Sequence, residues 1–174
     1  MITVLTRRVN DSAAELSQAS YDRMVAAIDY SRIHCACGCC EYHIHAYYER
    51  KLKHPGCERL IITRIRCSGC GITHAILPDT LVPYSQNTLE DHISIVKACT
   101  AREQREVLNQ NPLIRIEDLR RIRQRYERYW KERLAGAGIK LDEWLTDLCL
   151  KFYQRQFMQI RCTPCIALAC NHTE

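Results

Sequence analysis

The chain has 174 residues, of which 47% are hydrophobic and 26% charged, and a formal net charge of +5. This composition fits one ordinary domain, or two small ones, and excludes a disordered chain. No stretch approaches about 18 uninterrupted apolar residues, and the N-terminus lacks the apolar core of a secretory signal, so neither a membrane partner nor export is expected. In the reducing cytoplasm expected here, the twelve cysteines are more often metal ligands than disulfides.

The first segment, residues 1–32, is predicted to contain a helix that packs on the rest of the chain. Asp11 or Ser12 can cap this helix, because short polar side chains accept hydrogen bonds from the free backbone N–H groups of the first turn. Its apolar side chains would line one face: Leu16, Met24, Val25 and Ile28.

The second segment, residues 33–84, has the pattern of a β-hairpin with a third strand. Within "EYHIHAYYERKL", alternation places Ile44, Ala46 and Tyr48 on one face. The turn signal "HPGC" and the β-branched run "RLIITRIR" follow, and a further strand is expected around "THAILP". A cysteine cluster lies at the foot of each hairpin strand.

The third segment, residues 85–174, is predicted to be helical throughout. Helices are expected over "SQNTLEDHISIVKACTA", "AREQREVLNQN", "IEDLRRIRQRYERYWKERLAGAG" and "LDEWLTDLCLKFYQRQFMQI". The third of these would point five side chains inward: Leu119, Ile122, Tyr126, Tyr129 and Trp130. The predicted architecture is therefore α+β, with a small zinc-ribbon β-hairpin module flanked by a helical domain.

The motif "CSGCG" at 67–71 is the clearest chemical signal. Cys67 and Cys70 are three positions apart in a tight turn, and Gly71 tolerates the backbone conformation that such a turn needs. Two further ligands of a tetrahedral zinc would come from the other foot of the hairpin. The closed four-ligand site expected here would leave no position for a catalytic water, so its role would be structural.

The run "HCACGCC" at 34–40 offers several ways to complete this site. Cys37 with Cys40 has the usual C-x-x-C spacing and is favoured, because structural zinc sites are rich in thiolates. His34 with Cys37 is the alternative, and it places Gly38 as Gly71 is placed after Cys70. Cys35 paired with Cys37 or Cys39 has poorer spacing.

The tail offers a possible second metal site in "RCTPCIALACNH". Its candidate ligands are Cys162, Cys165, Cys170 and His172. The apolar residues between the cysteine pairs also suit ordinary packing.

Arginines concentrate in the helix after Pro112. Between Arg115 and Arg133 there are eight basic and four acidic residues. With the preceding helix, residues 101–130 can form a helix-turn-helix whose arginines would contact phosphates and guanine edges. The candidate DNA contacts on this helix are Arg120, Arg121, Arg125 and Arg128, and the ribbon adds Lys51 and Arg66. The competing interpretation is a solvated helix whose arginines are paired with nearby glutamates.

The motifs "HCACG", "HAYYERKL", "RCSGCG" and "AILPDTLVPYSQNTLEDHI" occur in an order that resembles a known pattern. It is similar to the zinc ribbon and helix-turn-helix at the N-terminus of insertion-sequence transposases. It is closer still to their short uncharacterised relatives, classed as a domain of unknown function. His34 stands where that family has its first knuckle cysteine, and Ala46 replaces a usual glycine. The resemblance implies DNA binding and not strand transfer.

The expected function is that of a zinc-dependent, non-enzymatic DNA-binding protein of mobile-element origin, a regulator or targeting factor. Its partner would be double-stranded DNA, with no small-molecule substrate. The alternative is a protein that binds another protein or a nucleoprotein, such as an anti-CRISPR inhibitor of a host defence complex. No enzyme is expected, because the sequence shows neither a nucleophile–base pair nor a trio of spaced carboxylates.

Overall fold

The computed structural model describes residues 1–5, 16–142 and 144–160, together with the backbone of 166–169. It contains a five-stranded sheet in the order β2-β3-β4-β1-β5. The strands are β1 (Ile2–Leu5), β2 (Tyr42–Lys51), β3 (Arg59–Cys67), β4 (Thr73–Pro78) and β5 (Ile166–Ala169). The helices are α1 (Gln18–Ala26), α2 (Leu89–Lys97), α3 (Ala101–Gln110), α4 (Ile116–Tyr129), α5 (Lys131–Gly136) and α6 (Leu145–Tyr153). The chain thus mixes helices and a sheet, as the sequence predicts.

The predicted hairpin with its third strand is confirmed. Strands β2 and β3 pair antiparallel from Tyr42↔Cys67 to Lys51↔Arg59, and β4 pairs antiparallel with β3. A register shift between Ile44 and Ala46 marks a bulge that the sequence pattern did not indicate. A bulge breaks the strict alternation of a strand, and Ile44 is accordingly exposed while Tyr48 packs on the core.

Helix α1 packs on the sheet and joins its strands through Tyr21. This side chain is buried; its hydroxyl donates to the carbonyl of Ile76 in β4 and accepts from the N–H of Thr63 in β3. The helix begins after Ser17, whose hydroxyl accepts from the N–H of Ser20. The predicted caps at residues 11 and 12 lie outside the described residues.

Strand β1 lies between strands from the second and third segments, which the sequence suggested were separate modules. It runs parallel to β4 on one side and parallel to β5 on the other. The prediction that residues 85–174 are helical throughout is therefore wrong at β5, where pairing with the edge of β1 makes the chain a strand. Ile2 and Val4 are completely buried, where they pack with Ile65 and Ile76. The ribbon therefore shares one sheet with the two ends of the chain.

The helical part has its own hydrophobic core. Trp130 is completely buried there, in edge-to-face contact with Phe157 and Tyr153. Trp130 also interrupts the single helix predicted over 116–138, because its backbone leaves helical geometry between α4 and α5. Leu119 and Ile122 are buried as expected, Tyr126 is partly buried, and Tyr129 is more exposed.

Polar contacts connect the helical part to the sheet. Lys53, which follows β2, forms a salt bridge with Asp118 of α4. The side-chain amide of Asn111 donates to the carbonyl of Lys53 at 2.9 Å and to the carboxylate of Asp91 at 3.1 Å. These contacts hold the start of α4 at the end of the hairpin. Within the described ranges, every helix falls short of the length and apolar character that crossing a membrane requires.

Candidate metal centre

Two tight turns present cysteines at the foot of the hairpin. In the first, the N–H of Gly38 donates to the carbonyl of Cys35 at 2.8 Å. In the second, the N–H of Gly71 donates to the carbonyl of Cys67 at 2.9 Å. Both glycines have positive φ, 85° and 72°, which residues with a Cβ rarely adopt. The two turns therefore direct their cysteines towards each other.

Four sulfur atoms meet between these turns. The Sγ atoms of Cys35, Cys37, Cys67 and Cys70 all lie within 4.8 Å of one another. Two of the separations are 3.5 Å (Cys35 to Cys70) and 3.6 Å (Cys37 to Cys67). A regular tetrahedron with zinc–sulfur bonds of about 2.3 Å has sulfur–sulfur edges of about 3.8 Å. The group is thus able to hold a metal ion, and its spacing suits a tetrahedral site.

The structure brings together three of the four favoured ligands, Cys37, Cys67 and Cys70. Cys35 supplies the fourth sulfur, although its spacing from Cys37 ranked last in the sequence. Cys40 and His34 are exposed and lie outside the group. The turn that ends at Gly38 explains why Cys35 is a member of the group, because this turn brings the sulfurs of Cys35 and Cys37 to one point.

The electrostatics of the group depend on backbone N–H donors and on the crowding of sulfurs. The N–H of Cys70, and then that of Gly69, donate to the sulfur of Cys67 and lower the pKa of Cys67 to about 6. An N–H from Ile72 acts in the same direction on Cys70, but desolvation and the neighbouring sulfurs outweigh it and raise the pKa of Cys70 to about 12. Four thiolates this close repel one another, and a bound cation would remove that repulsion.

His74 supports Cys35 from β4. Its Nε2 lies 3.7 Å from the sulfur of Cys35, and its Nδ1 lies 3.2 Å from the nitrogen of Met1. Burial lowers the pKa of His74, which favours the neutral ring. A neutral ring that accepts from the Met1 ammonium at Nδ1 carries its proton on Nε2, the nitrogen that faces the sulfur. Such contacts orient a metal ligand from outside the coordination sphere, and sequence spacing alone does not reveal this one.

The residues predicted to contact DNA are exposed on α4 and on the sheet, with one exception. On α4, Arg120, Arg121 and Arg128 are exposed and Arg125 is half-buried. Lys51 and Arg66 are exposed on the sheet. The four residues of the proposed tail site, 162, 165, 170 and 172, lie outside the described residues.

Fold and site together define a small mixed α/β protein with a four-cysteine group able to hold a metal ion. A family model described as "Domain of unknown function (DUF6431)" matches residues 34–121, which is 88 of the 174 residues. The chain belongs to this family, which agrees with the expected class of uncharacterised domains. The matched range begins just before Cys35 and includes all four cysteines of the group. No curated protein and no solved structure matches the chain.

Proposed function

We propose that this chain is a zinc-dependent, non-enzymatic protein that binds double-stranded DNA through the exposed arginines of α4. The proposal rests on the exposure of those arginines and on their lack of carboxylate partners. Arg120, Arg121 and Arg128 are exposed, and none of the three forms a salt bridge with a carboxylate in the described ranges. Unpaired cations on one helix are what a polyanionic partner requires.

The acidic residues of α4 are largely engaged elsewhere. Asp118 is buried and pairs with Lys53, and Glu127 pairs with Lys131 at 2.8 Å. Arg123 donates to the carbonyl of Ala98 and so has a packing role. The competing interpretation, a helix whose arginines are neutralised by its own glutamates, therefore has little support at the three exposed positions.

The arrangement of α3 and α4 is compatible with a helix-turn-helix. The two helices are separated by residues 111–115, and Val107 of α3 packs in one core with Leu119 and Ile122 of α4. A groove of about 510 Å³ between them is lined by Arg105 and Arg120, among others. In this proposal α4 enters the major groove, and arginines at both edges contact the phosphates.

Zinc would serve the fold. The four cysteines Cys35, Cys37, Cys67 and Cys70 would hold the ion and so crosslink the two turns at the foot of the hairpin. Bound in this way, zinc supplies a structural crosslink. The site would keep no open coordination position, which supports a role without catalysis.

The ribbon residues differ in how available they are to DNA. Lys51 is exposed and forms no salt bridge with a described carboxylate. The Nε of Arg66 donates to the carbonyl of Gly71 at 3.1 Å, so Arg66 also braces the second cysteine turn. Lys51 is the better auxiliary phosphate contact of the two.

A mobile-element origin is the finer part of the proposal. It rests on the order of motifs that resembles the N-terminal region of insertion-sequence transposases. In that setting, a small protein that binds DNA without cutting it would act as a regulator or a targeting factor.

The double variant Arg121→Ala/Arg128→Ala tests the role of α4. Loss of two phosphate contacts should weaken duplex binding by about 10- to 100-fold. The slope of the logarithm of affinity against the logarithm of salt concentration should become less negative by about 2. Fluorescence anisotropy of a labelled duplex measures both effects. Thermal unfolding should stay near that of the unmodified protein, since both side chains are exposed.

The matched control is Arg32→Ala/Arg59→Ala. It removes the same charge from two exposed arginines that are paired with Asp29 and Glu49. This control should bind DNA nearly as well as the unmodified protein. Equal losses in the two double variants would mean that only net charge matters, and the α4 interface would be abandoned.

A further inference from the structure

A second basic and aromatic site lies on the sheet, and none of the four cysteines lines it. It is a cavity of about 590 Å³ between strands β2 to β4 and the segment that follows β4. Its lining includes two tyrosines and two basic residues: Tyr48, Lys51, Arg64 and Tyr84. This volume is within the range of small-ligand sites, about 300–1,000 Å³.

Tyr84 is held in an unusual backbone conformation at the rim of this cavity. Its φ is 62°, a value that non-glycine residues seldom adopt. The buried Arg50 fixes the segment, because its Nη2 donates to the carbonyls of Val82 and Ser85, both at 2.6 Å. The chain is thus bound on both sides of Tyr84, while the tyrosine side chain itself is 59% exposed. Non-glycine residues that are held in this region of φ cluster at ligand-binding and active sites.

One cation of the cavity lies beside an aromatic ring. The guanidinium of Arg64 lies over the ring of Tyr48, 5.2 Å from its centroid. Lys51 is exposed. Glu49 also lines the cavity, but it is paired with Arg59 at 3.3 Å. The site therefore combines a largely exposed tyrosine with two exposed basic side chains.

We infer that this cavity binds one nucleotide unit of an unpaired strand, with the base stacked on Tyr84 and the adjacent phosphate contacted by Arg64 and Lys51. Stacked aromatic rings beside cations are how proteins hold unpaired bases irrespective of sequence. A base within a duplex has its faces covered by its neighbours, so an intact duplex cannot use the ring of Tyr84. The site is separate from α4, and the inference holds whether or not α4 binds duplex DNA.

Binding of a short fluorescein-labelled oligothymidylate tests the inference by anisotropy. The informative variant is Tyr84→Gly, because it removes the ring and because glycine readily adopts a φ of 62°; thermal unfolding checks that the fold is kept. Loss of one stacked base should weaken single-strand binding by about 5- to 150-fold. Tyr84→Phe keeps a stacking ring and should bind within about twofold of the unmodified protein.

Tyr47→Ala is the matched control, since Tyr47 is 62% exposed on β2 and does not line the cavity. It should leave single-strand binding unchanged. Unchanged binding by Tyr84→Gly, or an equal loss in Tyr47→Ala, would overturn the inference. Duplex affinity should not respond to Tyr84→Gly, so failure here is distinguishable from failure of the α4 interface.

Competition with thymidine monophosphate identifies the source of the nucleotide. Displacement of the labelled strand by the monophosphate would show that one free nucleotide fills the site. Displacement only by longer strands would show that neighbouring phosphates contribute. Either result supports the inference, provided that single-strand binding is weakened in Tyr84→Gly.

Discussion

Replacing Cys35 with serine should weaken metal binding at the foot of the hairpin strongly, whereas replacing Cys40 should leave it intact. Cys35 is 3% exposed and its sulfur lies 3.5 Å from that of Cys70. Cys40 is exposed and outside the group. Structural zinc in small domains contributes about 10–16 kcal/mol of apparent binding free energy, so loss of one of four ligands costs roughly a quarter of that. The expected fall in zinc affinity is about 100- to 1,000-fold.

The measurement is a zinc titration against a competing chelator, combined with thermal unfolding. Both variants are best made in a chain that carries Cys162→Ser and Cys165→Ser, so that a tail site cannot contribute. Cys35→Ser should give up zinc to a chelator that is about 100- to 1,000-fold weaker and should unfold at lower temperature, and Cys40→Ser should resemble the protein without either change. The reverse result, with zinc retained in Cys35→Ser and lost in Cys40→Ser, would restore the C-x-x-C pairing and refute the observed group.

Replacing Trp130 with alanine should destabilise the helical core by about 3–5 kcal/mol. Trp130 is completely buried and packs against Phe157 and Tyr153. Its indole N–H has no acceptor among the described residues, so the lost free energy comes from packing and from the cavity left behind. Urea unfolding followed by far-ultraviolet circular dichroism measures the change.

Trp144→Ala is the matched control for this substitution. Trp144 is 57% exposed, so its truncation should change the free energy of unfolding by about 0.5 kcal/mol or less. Comparable losses in the two variants would contradict the central position of Trp130 in the core.

The hairpin was predictable because its signals are local. Alternation in β2, the β-branched run of β3 and the turn between them are all legible within about thirty residues, and Cys67 with Cys70 forms one short motif. The register shift before Ala46 was not predictable, since a bulge depends on how two strands fit together. The same limit applies to the break at Trp130, where burial of a large ring overrides the helical pattern.

Contacts between distant residues account for what the sequence did not show. Strand β1 is a run of only four residues, and its partner Ile76 is far away in the chain. Nothing local distinguishes such a strand from an irregular end. The role of Cys35 also depends on such contacts. Spacing in the sequence favours Cys40, but the turn at Gly38 and the contact with His74 of β4 place the sulfur of Cys35 in the group. Short-range motifs therefore identified the kind of site and not its full set of ligands.

Salt dependence of duplex binding by the zinc-loaded protein tests the central proposal most directly. Fluorescence anisotropy on a mixed-sequence duplex gives the affinity at each salt concentration. If Arg120, Arg121, Arg125 and Arg128 each neutralise one phosphate, the logarithm of the affinity should fall against the logarithm of salt with a slope of about −4. A folded, zinc-loaded sample that does not bind the duplex even at low salt would contradict the proposal and would favour the alternative of a protein partner.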